Sequence, residues 1–257
     1  MFGGFAVSTV DKEVFVCRGN VVFFLSAVGD QAREDILCSN LAAQIRASKQ
    51  YSEFADSDMW YREYRKALGV FGWSLQRQAS REYEVGESSS LTIMEIVEKE
   101  LLMYIPASNV ESMVEALKKI DALPVESTPA CVLRDNMIST NLVDDSESNE
   151  KSISRIRFSL VFCGPGSIAH ALYLNLATLE TLEPNVFSQV LKKGSLKGSV
   201  TVGYVSEELV DAHYASIREK IAAQLGDSRQ ALIKPVLERL LKVPEVAPFR
   251  RASDPGV

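Results

Sequence analysis

Two histidines, His170 and His213, and four cysteines, Cys17, Cys38, Cys131 and Cys163, are the side chains of this 257-residue chain best suited to nucleophilic or metal chemistry. Thiol catalysis needs a thiolate, a base beside it and a third group that orients the base. Cys163 closes the run SRIRFSLVFC, and His170 follows shortly after it. Glu207 or Asp211 is available as an acidic partner, so the enzyme arrangement open to this chain uses Cys163 or His170, with His213 as a third candidate. Spacing argues for structural roles instead. His170 falls in the alternating line Ile168, His170, Leu172, Leu174 and Leu176, which a sheet buries, and His213 stands between Val210 and Ile217 on an apolar helix face. Neither histidine has a partner at H-x-x-x-H or H-x-x-E-H, and no two cysteines form C-x-x-C, so no metal site is expected. G-x-S-x-G, D-x-D-x-D-G and G-x-G-x-x-G are also missing, and no cofactor is expected. CGPGS (163–167) is glycine-rich but lacks the lysine of a phosphate loop, and it reads as a hairpin turn.

A second candidate surface is SDMWYREYRKALGVFGW (57–73), where both tryptophans stand among Arg62, Arg65 and Lys66. A stacking platform for nucleic acid exposes ring faces beside a basic groove. Helical spacing instead collects Trp60, Tyr64, Leu68 and Phe71 on one stripe with the cations at its flanks, the pattern of a core-facing helix. The net charge of −6 likewise argues against a nucleic-acid partner. LKKGSLKGS (191–199), the one basic cluster, reads as a tight turn. MFGGFAVSTVDKEV has neither the basic start nor the apolar core of a secretory signal, and VVFFLSAVG is too short to span a bilayer as a helix. A cytoplasmic protein without a transmembrane segment is expected, with export independent of a signal left open.

The elements that must carry these residues follow from period. Asp30 caps a helix lined by Leu37, Leu41 and Ile45; a second begins at Ser57 or Asp58 and ends at Gly69 or Gly72. GWSLQRQASREYEVGESSS reads as a short extended piece running into a loop. Capping boxes at Thr92/Glu95 and Ser108/Glu111 announce two more helices, separated by Pro106 and stopped by Pro124. From about residue 130 the period becomes two: Ile156, Phe158, Leu160 and Phe162 share one strand face, and Arg155, Arg157 and Ser159 a solvated one. A strand at ACVLR or MISTNLV precedes it, with the acidic loop DDSESNE (144–150) between, and SIAHALYLNLAT and GSVTVGYV continue the sheet. Ser206 caps a helix carrying Val210, Tyr214, Ile217, Ile221 and Leu225, and a last helix over about 228–243 starts or kinks at Pro235. Residues 13–28 fit a hairpin turning at Arg18-Gly19-Asn20 or the start of a helix. The expectation is a single α+β domain over 1–257: a helical part at about 28–124 packed on an antiparallel β-sheet at about 130–205, C-terminal helices at about 206–243 and a disordered tail, 244–257.

REDILCSNLAAQIRASKQY followed by WYREYRKALGVFGWSLQ resembles a group of uncharacterised bacterial proteins with a similar leucine-alanine helix and a W-Y-x-x-Y-x-x-x-L-x-x-x-G-W segment. The resemblance covers about residues 30–76 and brings no established activity. Some members stand beside genes for pore-forming toxins, which implies an accessory role. The expected function is therefore a non-enzymatic bacterial interaction or accessory protein associated with a toxin or effector system, with a protein partner or self-association. The alternatives are an enzyme with its site at the helix-sheet junction near Cys163 and His170, and a membrane-active toxin component.

Overall fold

The computed structural model describes residues 12–25, 27–83, 90–143 and 151–237. Strands β1 (Lys12–Cys17) and β2 (Asn20–Leu25) form a hairpin. Helices α1 (Asp30–Ser48) and α2 (Ser57–Val70) follow, then β3 (Trp73–Tyr83) and the short β4 (Ser90–Leu91). Three helices come next, α3 (Ile93–Leu101), α4 (Ala107–Asp121) and α5 (Thr128–Met137), leading into β5 (Ile138–Val143) and the long β6 (Lys151–Cys163). After a 3-10 turn at Pro165–Ser167 the chain continues through β7 (Ile168–Thr178), β8 (Leu191–Lys192) and β9 (Val200–Leu209). It ends in α6 (Asp211–Ala215), α7 (Arg218–Leu225), α8 (Asp227–Leu232) and β10 (Ile233–Leu237).

The main sheet has the order β10-β1-β2-β6-β7-β9-β3, and β5 pairs with the first half of β6 on the edge whose second half pairs with β2. The expected α+β class is what forms, with two corrections. The sheet is mixed, because β2 runs parallel to β6. Helices cover both faces: α3, α4 and α5 pack on one, around Ile156, Phe158, Leu160, Leu172, Leu174 and Val202, and α1, α2, α6 and α7 pack on the other.

Residues 13–25 take the hairpin alternative. Val14, Val16, Val21 and Phe23 pack on one face while Cys17, Val22 and Phe24 pack on the other, so an unbroken apolar run suits strands covered on both sides. The turn brings Gly19 so close to α5 that a Cβ there would meet the Asn136 carbonyl oxygen at 2.5 Å.

Several expected boundaries move for identifiable reasons. The extended piece expected from GWSLQ forms and is longer than read: Trp73 opens an eleven-residue edge strand, β3. ACVLR lies in α5, where a proline in the first turn and Leu133 and Met137 one turn apart suit a helix; MISTNLV supplies β5. The Thr92/Glu95 capping box forms, whereas α4 starts behind Pro106 and the Ser108 carbonyl accepts from Ser112 Oγ. Ser206 caps nothing, because β9 stays paired to β3 and β7 through Glu208. The last helix stops at Leu232, and Pro235 sits in β10, an outer strand where the missing N–H is tolerated. Loop 144–150 and tail 244–257 lie outside the described residues.

α1 has no single apolar stripe. It is buried around most of its girth and meets the sheet through amides: Asn20 Nδ2 donates to Asn40 Oδ1 at 3.0 Å, Asn40 Nδ2 to Tyr64 Oη at 2.9 Å, and Gln44 Nε2 to the Cys17 carbonyl at 2.9 Å. Asn20 Oδ1 in turn accepts the Ser159 N–H. Asn20→Ala takes the side-chain acceptor from the buried Ser159 N–H and one of the donors from Asn40 Oδ1, which keeps Gln44 Nε2 at 2.9 Å, and is expected to cost about 1–3 kcal/mol, read as a lower urea midpoint with unchanged slope.

Candidate functional site

The covered faces of β6, β7 and β9 differ. One is apolar throughout its centre; the other carries Arg157, Ser159, Tyr173 and Glu207, all buried beneath α1 and α2. The expectation of a solvated face for Arg157 and Ser159 is thus corrected: their face is polar, but helices cover it, and Arg157 is 1% exposed.

Arg157 is held by aromatic and acidic groups together. Its guanidinium lies 3.8 Å above the Trp60 ring and forms an ion pair with Glu53, which stands between α1 and α2. Glu53 also takes Arg18 Nη2 at 2.7 Å, from the β1–β2 turn. Arg18 Nη1 donates to Ser48 Oγ at 2.9 Å, and Trp60 Nε1 donates to the same oxygen at 2.8 Å. Trp60 stacks on Tyr64 with centroids 5.3 Å apart. The aromatic stretch is therefore core, as its spacing indicates, and its cation is Arg157 from the sheet.

A second ionic group joins the far end of α2 to β9. Arg65 Nη2 lies 2.7 Å from Glu207 Oε2. Burial, the largest influence, opposes the charge on Arg65, but its hydrogen bond to Glu207 and the attraction of that carboxylate together outweigh it and hold its pKa above the ordinary value. Beside it Tyr61 stacks on Tyr173 with centroids 4.0 Å apart.

The three candidate residues are not brought together. Cys163 pairs in register with Ala169, and Ala169 with Glu207, so the thiol and that carboxylate share the polar face. His170 pairs with Phe162 and Ser206, which places it on the opposite, apolar face. Burial first, and the Glu207 charge second, push the Cys163 thiol far up from its ordinary pKa, so it is not a thiolate. Burial alone lowers the pKa of His170, whose Nδ1 lies 2.7 Å from Tyr204 Oη. His213 Nε2 donates to the Val70 carbonyl at 3.1 Å, and its ring closes over Gly72, which adopts φ +93°. Asp211 is exposed and faces Arg218, which forks onto Asp35 at 2.8 and 2.7 Å. Burial, then the hydrogen bond to Glu34, pushes Cys38 up to about 12. Among the described residues no group of three His, Cys, Asp or Glu side chains is placed to hold a metal ion.

Residue spacing missed the members that matter here: Arg18, Glu53, Arg65, Arg157, Asn40 and Gln44. One signal was present. A chain with this much helix on both sides of its strand segments has more helix than one sheet face accommodates.

No protein-family model and no curated protein matches the sequence. Three of the solved structures that a structural comparison returns are the following. A delta-endotoxin has 11% identity and TM-score 0.44, over 81% of this chain and 89% of that one. The activated Cyt2Ba monomer from Bacillus thuringiensis subsp. israelensis has 13% identity and TM-score 0.42, over 74% and 97%. The Evf virulence factor has 8% identity and TM-score 0.37, over 83% and 84%. Scores and identities this low assign neither family nor activity to the chain.

Two outcomes test the site. Arg65→Met leaves the buried Glu207 charge without its cation and is expected to cost about 3–5 kcal/mol; adding Glu207→Gln should return part of that loss in thermal melts. His170 binds its proton less readily when folded than when unfolded, so its contribution to stability is full above about pH 6.5 and declines as pH falls through that value. His170→Gln should therefore lose less stability than the parent between about pH 7.5 and about pH 5.

Proposed function

We propose that the protein is a non-enzymatic, membrane-acting protein of the toxin or effector kind, whose sheet exchanges its helical cover for lipid. One observation carries this reading: over Ile156–Leu160, Leu172–Asn175 and Val200–Gly203 the three strands keep a period-two pattern although both of their faces are covered, the α1–α2 face turning apolar only toward Val161, Cys163, Ala169 and Leu209. Strands covered on both sides are ordinarily near-continuous apolar runs, and each charge taken out of water costs several kcal/mol. Here Ile156, Phe158, Leu160, Leu172, Leu174, Val200 and Val202 point to one side, and Arg157, Ser159, Tyr173, Asn175, Thr201 and Glu207 to the other. The strands have 13, 11 and 10 residues. A bilayer-spanning strand takes about 9–11, with apolar residues facing lipid and polar residues facing water. The same alternation that is costly under helices suits a wall between lipid and water.

No helix among the described residues is long and apolar enough to cross a membrane, so on this reading the strands do the work. Open sheet edges are not tolerated in hydrocarbon. Several copies must close them, which gives the expected self-association its place. β3 supplies a suitable edge, with eleven residues, no proline and an almost wholly exposed set of side chains.

Dye-loaded vesicles test the reading. The protein should release dye with a dependence on its own concentration steeper than first order, with strand content retained by circular dichroism. Thr201 lies half-buried on the polar face, so Thr201→Lys should shift the reversal potential of single channels in planar bilayers toward anions. Absence of leakage in both zwitterionic and anionic vesicles, or conductance indifferent to that substitution, would overturn the proposal.

A further inference from the structure

Helix α3 ends and α4 begins through the run Leu101-Leu102-Met103-Tyr104-Ile105-Pro106. Leu101 and Ile105 turn inward, whereas Leu102 and Met103 are 49% and 47% exposed. Turns are ordinarily built from small polar residues, and two adjacent exposed apolar side chains in one need a reason. Below the tip the turn is fixed. Tyr104 stacks on Tyr204 with centroids 3.7 Å apart and nearly parallel planes.

Cations lie along its β3 side. Arg77 lies 5.1 Å from the Tyr104 ring centroid, Lys99 lies 5.1 Å from that of Tyr83, and Arg81 Nη2 lies 3.6 Å from Met103 Sδ. Arg81 is neutralised by Glu100, which it forks at 2.5 and 3.1 Å. Arg77 and Lys99 meet ring faces rather than carboxylates among the described contacts, and both side chains are exposed. A chain of net charge −6 thus presents an apolar tip beside two cations unmatched by a carboxylate contact.

We propose that the α3–α4 turn is the surface with which this protein first meets an anionic lipid bilayer; the proposal rests on the membrane-acting reading above. A pair of exposed apolar side chains with two cations along one flank fits the headgroup layer, where apolar groups enter the acyl boundary and lysine and arginine meet phosphate. It fits a protein partner less well, since two exposed apolar side chains make a smaller patch than the buried core of a protein interface. The turn also joins the two helices that pack over the apolar sheet face, so anchoring it in lipid pulls on the cover that must leave.

Flotation of the full chain with phosphatidylcholine vesicles, with and without phosphatidylglycerol, tests this. Leu102→Ser with Met103→Ser should weaken binding at least about tenfold, with the melting temperature unchanged because both side chains are exposed. Arg77→Gln with Lys99→Gln should remove the preference for phosphatidylglycerol, while Val190→Ser, an exposed apolar change elsewhere, leaves binding intact. Soluble glycerophosphoglycerol should not compete. Parental binding by the Leu102/Met103 variant would overturn the turn's role and leave the membrane reading standing. Competition by the soluble headgroup, or a change in the variant's size-exclusion mass without lipid, would replace the bilayer by a phosphate site or a second copy. Failure of the parent to bind any vesicle would remove the functional reading itself.

Discussion

A charge taken out of water must meet its partner inside the fold, and that requirement organises the α1–α2 side of this protein. Arg157 and Glu207 rise from the sheet into a covered layer. Each is met from above, Arg157 by Glu53 and the Trp60 ring, Glu207 by Arg65. Ion pairs and amide bonds have direction as well as strength, so they fix where each helix lies along the strands. α1 shows the consequence. It needs no apolar stripe, because Asn40 and Gln44 lock it to Asn20, Cys17 and Gly19 by hydrogen bonds that a one-residue slide would break.

The opposite face is held on another principle. There Ile156, Phe158, Leu160, Leu172 and Val202 meet Ile93, Val97, Leu117 and Phe187 in a continuous apolar layer. Apolar contact is strong in sum but indifferent to register. Arg81 with Glu100, at the β3 margin, ties α3 to the sheet by an ion pair. The two covers therefore differ in kind. One adds several buried ion pairs and amide bonds to its apolar contact, and the other adheres mainly by area.

This difference also explains what was legible in the sequence. The period-two run in β6, the capping box at Thr92, the core role of Trp60 and Tyr64, and the α+β class all follow from spacing within a single element, which sequence displays directly. Cover does not. Whether Arg157 faces water or α2 depends on a helix nearly a hundred residues earlier in the chain, and alternation alone reads such a residue as solvated. The extension of β9 through Ser206, Glu207 and Glu208 was hidden for the same reason: a serine followed by two acids is a good helix start, and only pairing with β3 and β7 overrides it. Cys163 and His170 are close in sequence, yet hairpin register sends their side chains to opposite faces, because the pairing partner of His170 is Phe162, next to Cys163. A shift of one residue in that register would have put thiol and imidazole on the same side.

A sheet with one apolar face and one charged face is not the economical centre of a three-layer protein, since replacing buried ion pairs by well-packed apolar residues is often neutral or stabilising. The pairs here bring a rigid, register-fixed attachment on one side and leave the other side attached by apolar contact. Lipid competes well with apolar contact, because acyl chains offer the same environment as Leu117 or Phe187, and poorly with a keyed ionic layer, which hydrocarbon cannot replace. On the proposed membrane action, the cover that lipid displaces is thus α3 and α4, and its departure exposes the apolar face. The polar face, by contrast, loses α1 and α2 only to water, which solvates Arg157 and Glu207 as well as their partners do. If the proposed membrane action holds, the order of events that the forces favour is therefore apolar face first and charged face second, with the ionic layer keeping the sheet ordered until the lipid side is filled.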